Sequence, residues 1–163
     1  MRTYAAKLDT ISRIITICVT GLVGITMYYA GRKGLAEPWI WVVIIVLGGC
    51  YFFMPTSYAV DNEAIEINRP INTILIPVNE VLSAERISVS DLGFGFRIGS
   101  GGFMGYLGLF RYPSIGWVRM HCTDRSRMVL IKRERKQYII SPDEPDAFVD
   151  DVNALILNKT SRN

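Results

Sequence analysis

The hydrophobic residues of this 163-residue chain follow two different patterns, and the change between them falls near residue 58. Before that point lie two long apolar runs without a charged side chain, residues 14–31 and 39–58. At roughly 1.5 Å of helical rise per residue, each run is long enough to cross the ~30 Å apolar core of a bilayer. The pattern predicts a membrane hairpin of two helices, over about residues 13–31 and 39–58.

Beyond residue 58, apolar and polar residues alternate in short segments. These segments lie at residues 65–68, 74–76, 94–98, 117–122, 128–132 and 138–140. Alternation with a period of two predicts half-buried strands. The polar segments 123–127 and 133–136 stand between successive strands and favour antiparallel hairpins.

The pattern becomes helical near the C-terminus. Phe148, Val152, Leu155 and Ile156 recur at spacings that place them on one face of a helix. Pro145 suits the first helical position, where a backbone N–H group has no partner within the helix. One amphipathic helix is therefore predicted to follow the strands.

These elements divide the chain into three parts. Residues 1–58 form an N-terminal tail with two transmembrane helices, residues 59–158 form a domain, and residues 159–163 form a short tail. The predicted fold class is a membrane α-hairpin joined to a mainly β, α+β domain, in which the C-terminal helix caps a curved antiparallel sheet or barrel. About a hundred residues suffice for one hydrophobic core.

Strands followed by one capping helix are similar to the pleckstrin-homology-like (PH-like) fold. The similarity is greatest over residues 97–155, in the glycine-rich segment 99–102 and in Gly116-Trp117-Val118, Val129-Leu130-Ile131 and Ile140-Ser141-Pro142-Asp143. This stretch resembles a bacterial PH-like domain, a class often found behind short transmembrane segments. The resemblance implies a binding module and no catalytic residues.

Charge and motif content narrow the functional classes. The net charge is +3, but residues 59–163 hold thirteen Lys and Arg against thirteen Asp and Glu. A neutral domain argues against a nucleic-acid partner. Cys18, Cys50 and Cys122 form no metal-binding spacing, and the glycines of residues 93–116 match no nucleotide fingerprint. We expect no enzyme activity, metal or cofactor, with Cys122 facing the core and the single histidine, His121, on the surface.

Two groups of residues are candidate binding sites. Phe103 and Met104, directly after the glycine-rich segment, are possible contacts for a partner protein or the bilayer. A basic set at or near hairpin ends is a possible site for anionic lipid headgroups, and it comprises Arg125, Arg127, Lys132, Arg133, Arg135 and Lys136. The alternative for this set is a pair of solvated turns in which Asp124 and Glu134 reduce the positive field.

The function predicted from these features is a membrane-anchored, non-enzymatic PH-like module that recognises a protein partner or a lipid headgroup at the bilayer face. The alternative is a structural subunit that self-assembles, or joins a membrane complex, through its hairpin and domain. The flanks of the hairpin carry more positive charge than its connecting loop, with Arg2, Lys7, Arg13 and Arg69 against Arg32 and Lys33. This bias predicts a two-span protein of the inner membrane whose domain faces the cytoplasm.

Overall fold

The computed structural model of the protein describes residues 1–33 and 38–160. Residues 34–37 of the predicted connecting loop and residues 161–163 of the predicted tail lie outside this description. In chain order the elements are β1 (Arg2–Ala5), α1 (Thr10–Arg32), α2 (Pro38–Phe53), β2 (Ser57–Val60), β3 (Ala64–Asn68), β4 (Thr73–Pro77), a 3-10 turn (Val78–Glu80), β5 (Val81–Arg86), α3 (Val89–Leu92), β6 (Phe96–Gly102), β7 (Gly105–Tyr112), β8 (Gly116–Cys122), β9 (Val129–Arg133), β10 (Gln137–Ile140) and α4 (Pro145–Thr160).

Helix α1 begins where Asp9 caps it, because the Asp9 carboxylate accepts a hydrogen bond from the Ser12 N–H at 2.6 Å. Its 23 residues are long and apolar enough to cross a membrane. Helix α2 has 16 residues and ends at Phe53, before the predicted end at residue 58. Pro55 explains the earlier end, since a proline inside a helix removes a backbone hydrogen bond and clashes with the preceding turn.

The first sheet has the order β1-β2-β3-β4, and every pair in it is antiparallel. Its edge strand β1 comes from the N-terminal tail, which sequence reasoning had placed in the membrane part. Arg2 stands opposite Val60, and Ala5 stands opposite Ser57. The two helices therefore occupy the place of the turn in a β1–β2 hairpin.

The second sheet has the order β5-β9-β10-β8-β7-β6. The predicted hairpin of β9 and β10 is confirmed. The predicted hairpin across residues 123–127 is wrong, because β10 lies between β8 and β9 and runs parallel to β8. Ser141, just after β10, holds this arrangement: its Oγ accepts hydrogen bonds from the N–H groups of Thr123 at 2.7 Å and Asp124 at 3.1 Å.

Two hydrophobic clusters lie on opposite faces of the second sheet. One packs the first sheet and α4 against β5, β9 and β10, and the other lies on the opposite face, with side chains of β7 and β8 such as Phe110 and Met120. The predicted apolar face of α4 is confirmed, because Phe148 and Val152 are fully buried in the first cluster. Tyr4 of β1 packs against Phe148, with the ring centroids 5.2 Å apart.

We expect β1 to be required for the stability of the domain. Tyr4 is 2% exposed and its hydroxyl donates to Asp151 at 2.5 Å. Replacing Tyr4 with Ala should therefore lower the free energy of unfolding by about 3–5 kcal/mol, the range for a buried aromatic ring. Thermal unfolding of the full-length protein in detergent measures this change. Thr3→Ala, on the exposed side of the same strand, is the control, and equal unfolding of the two variants would contradict a structural role for β1.

Candidate functional site

The first turns of α1 are seated on the domain. The Asp9 N–H donates to the Thr123 carbonyl oxygen at 3.0 Å, and the Tyr106 hydroxyl donates to the Asp9 carboxylate at 3.4 Å. Farther along α1, the Thr16 hydroxyl oxygen accepts from the Met104 N–H at 2.9 Å. These contacts hold the β6–β7 turn and the segment after β8 against the start of the helix.

The predicted contact residues Phe103 and Met104 lie in this β6–β7 turn, and both are partly buried. Met104 has a φ of 53°, and Gly102 and Gly105 beside it also have positive φ values. This backbone conformation explains the glycines around the turn, since other residues rarely adopt it. Residues 99–102 belong to strand β6 and not to a surface loop. A role for Phe103 and Met104 in partner binding stays a prediction.

The last turn of α2 rests on the connection between β3 and β4. The Ile71 N–H donates to the Phe52 carbonyl oxygen at 3.2 Å. The Arg69 guanidinium lies over the Phe53 ring, 5.5 Å from its centroid. Both α1 and α2 therefore contact the domain at connections between its strands.

Beside the last turn of α2, one face of strands β6, β7 and β8 is only partly covered by the residues that the structure describes. The strand registers place nine side chains on this outer face in three rows: Ser100, Leu107 and His121; Ile98, Leu109 and Arg119; and Phe96, Arg111 and Trp117. The first row lies against α2, and the other two rows extend away from it along the strands.

The apolar residues in the second and third rows of the outer face are exposed, whereas Leu107 in the first row is buried. Phe96 is 64% exposed, Ile98 57% and Trp117 46%. The strand predicted over residues 94–98 is confirmed for residues 96–98, which begin β6, but the prediction that it is half-buried is wrong, and Phe94 before the strand is 98% exposed. The reason is that the opposite face of the sheet carries the core residues, including Val118, so these alternating apolar residues point outward.

The outer face also carries positive charge. Arg111 and Arg119 are both exposed, and the Arg111 guanidinium lies 5.8 Å from the centroid of the Trp117 ring. None of the nine residues is acidic, and within residues 1–33 and 38–160 neither arginine forms an ion pair. The outer face thus combines exposed aromatic and aliphatic side chains with uncompensated guanidinium groups.

His121 is not the surface residue that the sequence suggested. It lies mostly buried in the row next to α2, and its Nδ1 has no hydrogen-bond partner in the described part of the chain. Burial and the positive charges of Arg69 and Arg119 together lower the pKa of His121 to about 4, and burial is the largest cause. The imidazole is therefore neutral at pH 7.

The predicted basic set is divided between the two ends of β9. Arg125 and Arg127 precede the strand, whereas the other members, Lys132, Arg133, Arg135 and Lys136, lie at its end and in the following turn. The structure therefore does not bring the six side chains to one place, and a lipid-binding role for the set stays a prediction.

Acidic neighbours also reduce the charge of the basic set. Lys132 pairs with Glu85 at 2.7 Å, Arg127 pairs with Asp124 at 3.5 Å, and Arg133 pairs with Glu80. Arg135 and Lys136 remain exposed, beside a shallow depression that Glu80 and Glu134 also line. Sequence reasoning found these charges because they are adjacent in the chain. It missed the outer face, whose residues stand at every second position of three strands: 96, 98 and 100 in β6, 107, 109 and 111 in β7, and 117, 119 and 121 in β8.

Comparison with known proteins gives one match. The family model described as "Bacterial PH domain" matches residues 56–156, which are 101 of the 163 residues. The match begins just before β2 and ends within α4, so it leaves out β1, α1 and α2. No curated protein and no solved structure matches the chain.

We expect His121 to remain neutral across the physiological range. Because His121 is the single histidine of the chain, its ring protons can be followed by NMR in an untagged preparation. The folded pKa of about 4 lies below the ordinary value of 6.5, so the associated stability is present above pH 6.5 and is lost as the pH falls toward 4. A midpoint near 6.5 in the folded protein would contradict the buried placement.

Stability measurements supply an independent check on His121. Compared with a His121→Gln control, the wild-type protein should lose up to about 1.4 kcal/mol of unfolding free energy per pH unit over this interval. The comparison with Gln removes the contribution of carboxylates, which titrate in both proteins. Parallel pH dependence of the two proteins would contradict a shifted His121.

Proposed function

We propose a function from the premise that this chain belongs to the bacterial PH domain family. The proposed function is that of a membrane-anchored, non-enzymatic binding module. Its PH domain recognises anionic lipid headgroups in the same membrane that its own helices enter. The observation that carries the proposal is the outer face beside the last turn of α2, which exposes apolar side chains together with Arg111 and Arg119.

The anchoring part of the proposal rests on the two helices. α1 has the length and hydropathy of a membrane span, and aromatic residues stand near its far end at Tyr28 and Tyr29. α2, with 16 residues, is about 24 Å long and would cross with local thinning of the bilayer. Tyr51 and Phe52, exposed at its domain end, match the aromatic residues found at membrane interfaces.

The headgroup part of the proposal rests on the chemistry of the outer face. Tryptophan and phenylalanine favour the interface between acyl chains and headgroups, and arginine places its charge among phosphates while its stem stays in apolar surroundings. Each Arg near an acidic membrane contributes about 1 kcal/mol of attraction. Arg111 and Arg119 have no acidic partner on this face that would cancel the attraction.

A self-associating subunit is the alternative function. The exposed side chains of Phe96, Ile98 and Trp117 favour it, because a contiguous apolar surface also suits contact with a second protein copy. Mass measurement of the detergent-solubilised protein distinguishes the two functions. A closed oligomer that dissociates when these residues are replaced by Ser would favour self-assembly, and a monomer favours headgroup recognition.

We expect Trp117 to lie within the membrane interface. In a full-length variant with Trp39→Phe and Trp41→Phe, Trp117 is the remaining tryptophan and its fluorescence reports its position. Nanodiscs of phosphatidylglycerol with brominated acyl chains should quench it strongly relative to nanodiscs without bromine. Adding Arg111→Gln and Arg119→Gln should weaken this quenching, since the arginines attract the face to anionic headgroups.

The matched control for this experiment carries Arg135→Gln and Lys136→Gln, which remove two exposed charges at the β9–β10 turn. Brominated lipid should quench Trp117 fluorescence in this control as strongly as in the parent variant. Weaker quenching in this control, together with no effect of the outer-face arginines, would instead support the basic set. No quenching of Trp117 in any bilayer would remove the outer face from the proposed function.

Topology is the second testable part of the proposal. We expect the domain in the cytoplasm, from the charge bias of the helix flanks. In a variant without Cys18, Cys50 and Cys122, single cysteines are introduced as Gly34→Cys between the helices and Ser126→Cys in an exposed loop of the domain. A membrane-impermeant maleimide added to intact cells should label position 34 and leave position 126 unlabelled. The reverse labelling would place the domain outside the cytoplasm.

A further inference from the structure

A cleft of about 310 Å³ separates the end of α2 from the domain. Its volume lies at the lower end of the ~300–1,000 Å³ range of ligand pockets. Its helix wall and its domain wall are lined, among others, by Val46, Gly49, Phe53, Arg69, Leu107 and His121. The first row of the outer face is thus one wall of this cleft.

Each wall of the cleft has a glycine, Gly49 on the helix and Gly108 on the sheet, and neither fills the space with a side chain. A Cβ atom on Gly49 would meet no atom within 4 Å, so α2 contributes no side chain at this point. Gly108 on the sheet wall has a φ of 130°, and a Cβ there would lie 2.3 Å from the Ile98 carbonyl oxygen. The sheet wall therefore excludes a side chain at Gly108, whereas the helix wall has room for one at Gly49.

One part of the cleft is polar and lacks partners. Arg69 Nε and His121 Nδ1 are buried, and neither forms a hydrogen bond within the described residues. Buried polar atoms in proteins are nearly always hydrogen-bonded. Two such nitrogen atoms without a partner in the wall of one cleft therefore indicate a missing hydrogen-bond acceptor. Among the lining residues none is acidic, and Arg69 brings a positive charge.

We propose that this cleft binds one anionic phospholipid of the surrounding bilayer, with its phosphate at Arg69 and His121 and the upper part of an acyl chain along α2. The phosphate supplies acceptor oxygens for Arg69 Nε–H and for the imidazole in the tautomer that carries its proton on Nδ1. The apolar remainder of the cleft, at Val46 and Leu107, suits an acyl chain.

The bilayer is the favoured source of this ligand because the helix wall belongs to α2. The same apolar helix that lines the cleft exposes Val42 and Ile45 one to two turns nearer its start. A lipid chain beside those residues therefore continues directly into the cleft. A free phosphate ion would satisfy the polar atoms but leave the apolar length unfilled, and a neutral lipid would leave the charge of Arg69 without an anionic partner.

The inference depends on the proposed membrane anchoring but not on headgroup binding by the outer face. The test is native mass spectrometry of the full-length protein, released from detergent micelles that contain equal phosphatidylglycerol and phosphatidylcholine. The wild-type protein should retain one phosphatidylglycerol. Its melting temperature should also rise with added phosphatidylglycerol, since a ligand of the folded state stabilises that state.

Gly49→Leu should abolish both effects by filling the cleft. Gly48→Leu is the matched control, because it adds the same side chain to the adjacent position, which does not line the cleft and also has open space. Arg69→Gln should weaken phosphatidylglycerol binding about tenfold, as expected for a lost hydrogen bond to a charged group. Retention of lipid by Gly49→Leu equal to that of Gly48→Leu would overturn the proposal.

Other outcomes separate this inference from the proposed function. Equal stabilisation by inorganic phosphate would reassign the cleft to a free anion and overturn the lipid proposal. Loss of bromine quenching at Trp117 with lipid still retained would remove the outer-face function and keep the cleft. Quenching without any retained lipid would keep the outer face and overturn the cleft.

Discussion

The position of both helices on the domain depends on the pairing of β1 with β2, because α1 and α2 lie between these two strands in the chain. Two residues that are adjacent in the sheet, Ala5 and Ser57, stand at the ends of an insertion that holds both α1 and α2. Neighbouring strands lie about 4.8 Å apart, whereas packed helices need about 8–10 Å between axes. The short segments that follow β1 and precede β2 must open this gap, so both helices leave one end of one β-hairpin.

This arrangement decides which surface of the domain meets the helices. The last turn of α2 contacts the β3–β4 connection, and α1 contacts the β6–β7 turn. The first row of the outer face lies beside α2. In a freely soluble protein, an exposed surface with Phe96, Ile98 and Trp117 would favour aggregation. With the membrane anchoring that we propose, the bilayer would lie beside this surface, and that would give its exposure a physical reason.

Sequence patterns predicted the elements with strong local signals and missed those set by distant pairing. The apolar run of α1 and the helical spacing of Phe148 and Val152 are local. β1 is four residues long, too short for a periodic pattern, and its partner lies more than fifty residues away. Alternation also cannot tell which face of a strand meets the core, so Phe96 was assigned inward and His121 outward. The cleft was not predictable, because its walls come from five separate segments of the chain.

Neutral hydrogen bonds hold the part of the domain on which the helices rest. Tyr58 follows α2 by a few residues, and its hydroxyl donates to the His121 carbonyl oxygen at 2.8 Å. Thr123 donates its N–H to the Ser141 Oγ and accepts from the Asp9 N–H with its carbonyl oxygen, so Ser141 holds the residue on which the start of α1 rests. Burial raises the pKa of Tyr58 above its ordinary value, so this donor keeps its proton at physiological pH. Salt screens exposed charges but leaves buried neutral hydrogen bonds nearly unchanged. Ionic strength should therefore affect the membrane contact that we propose for the exposed arginines of the outer face more than it affects these buried hydrogen bonds.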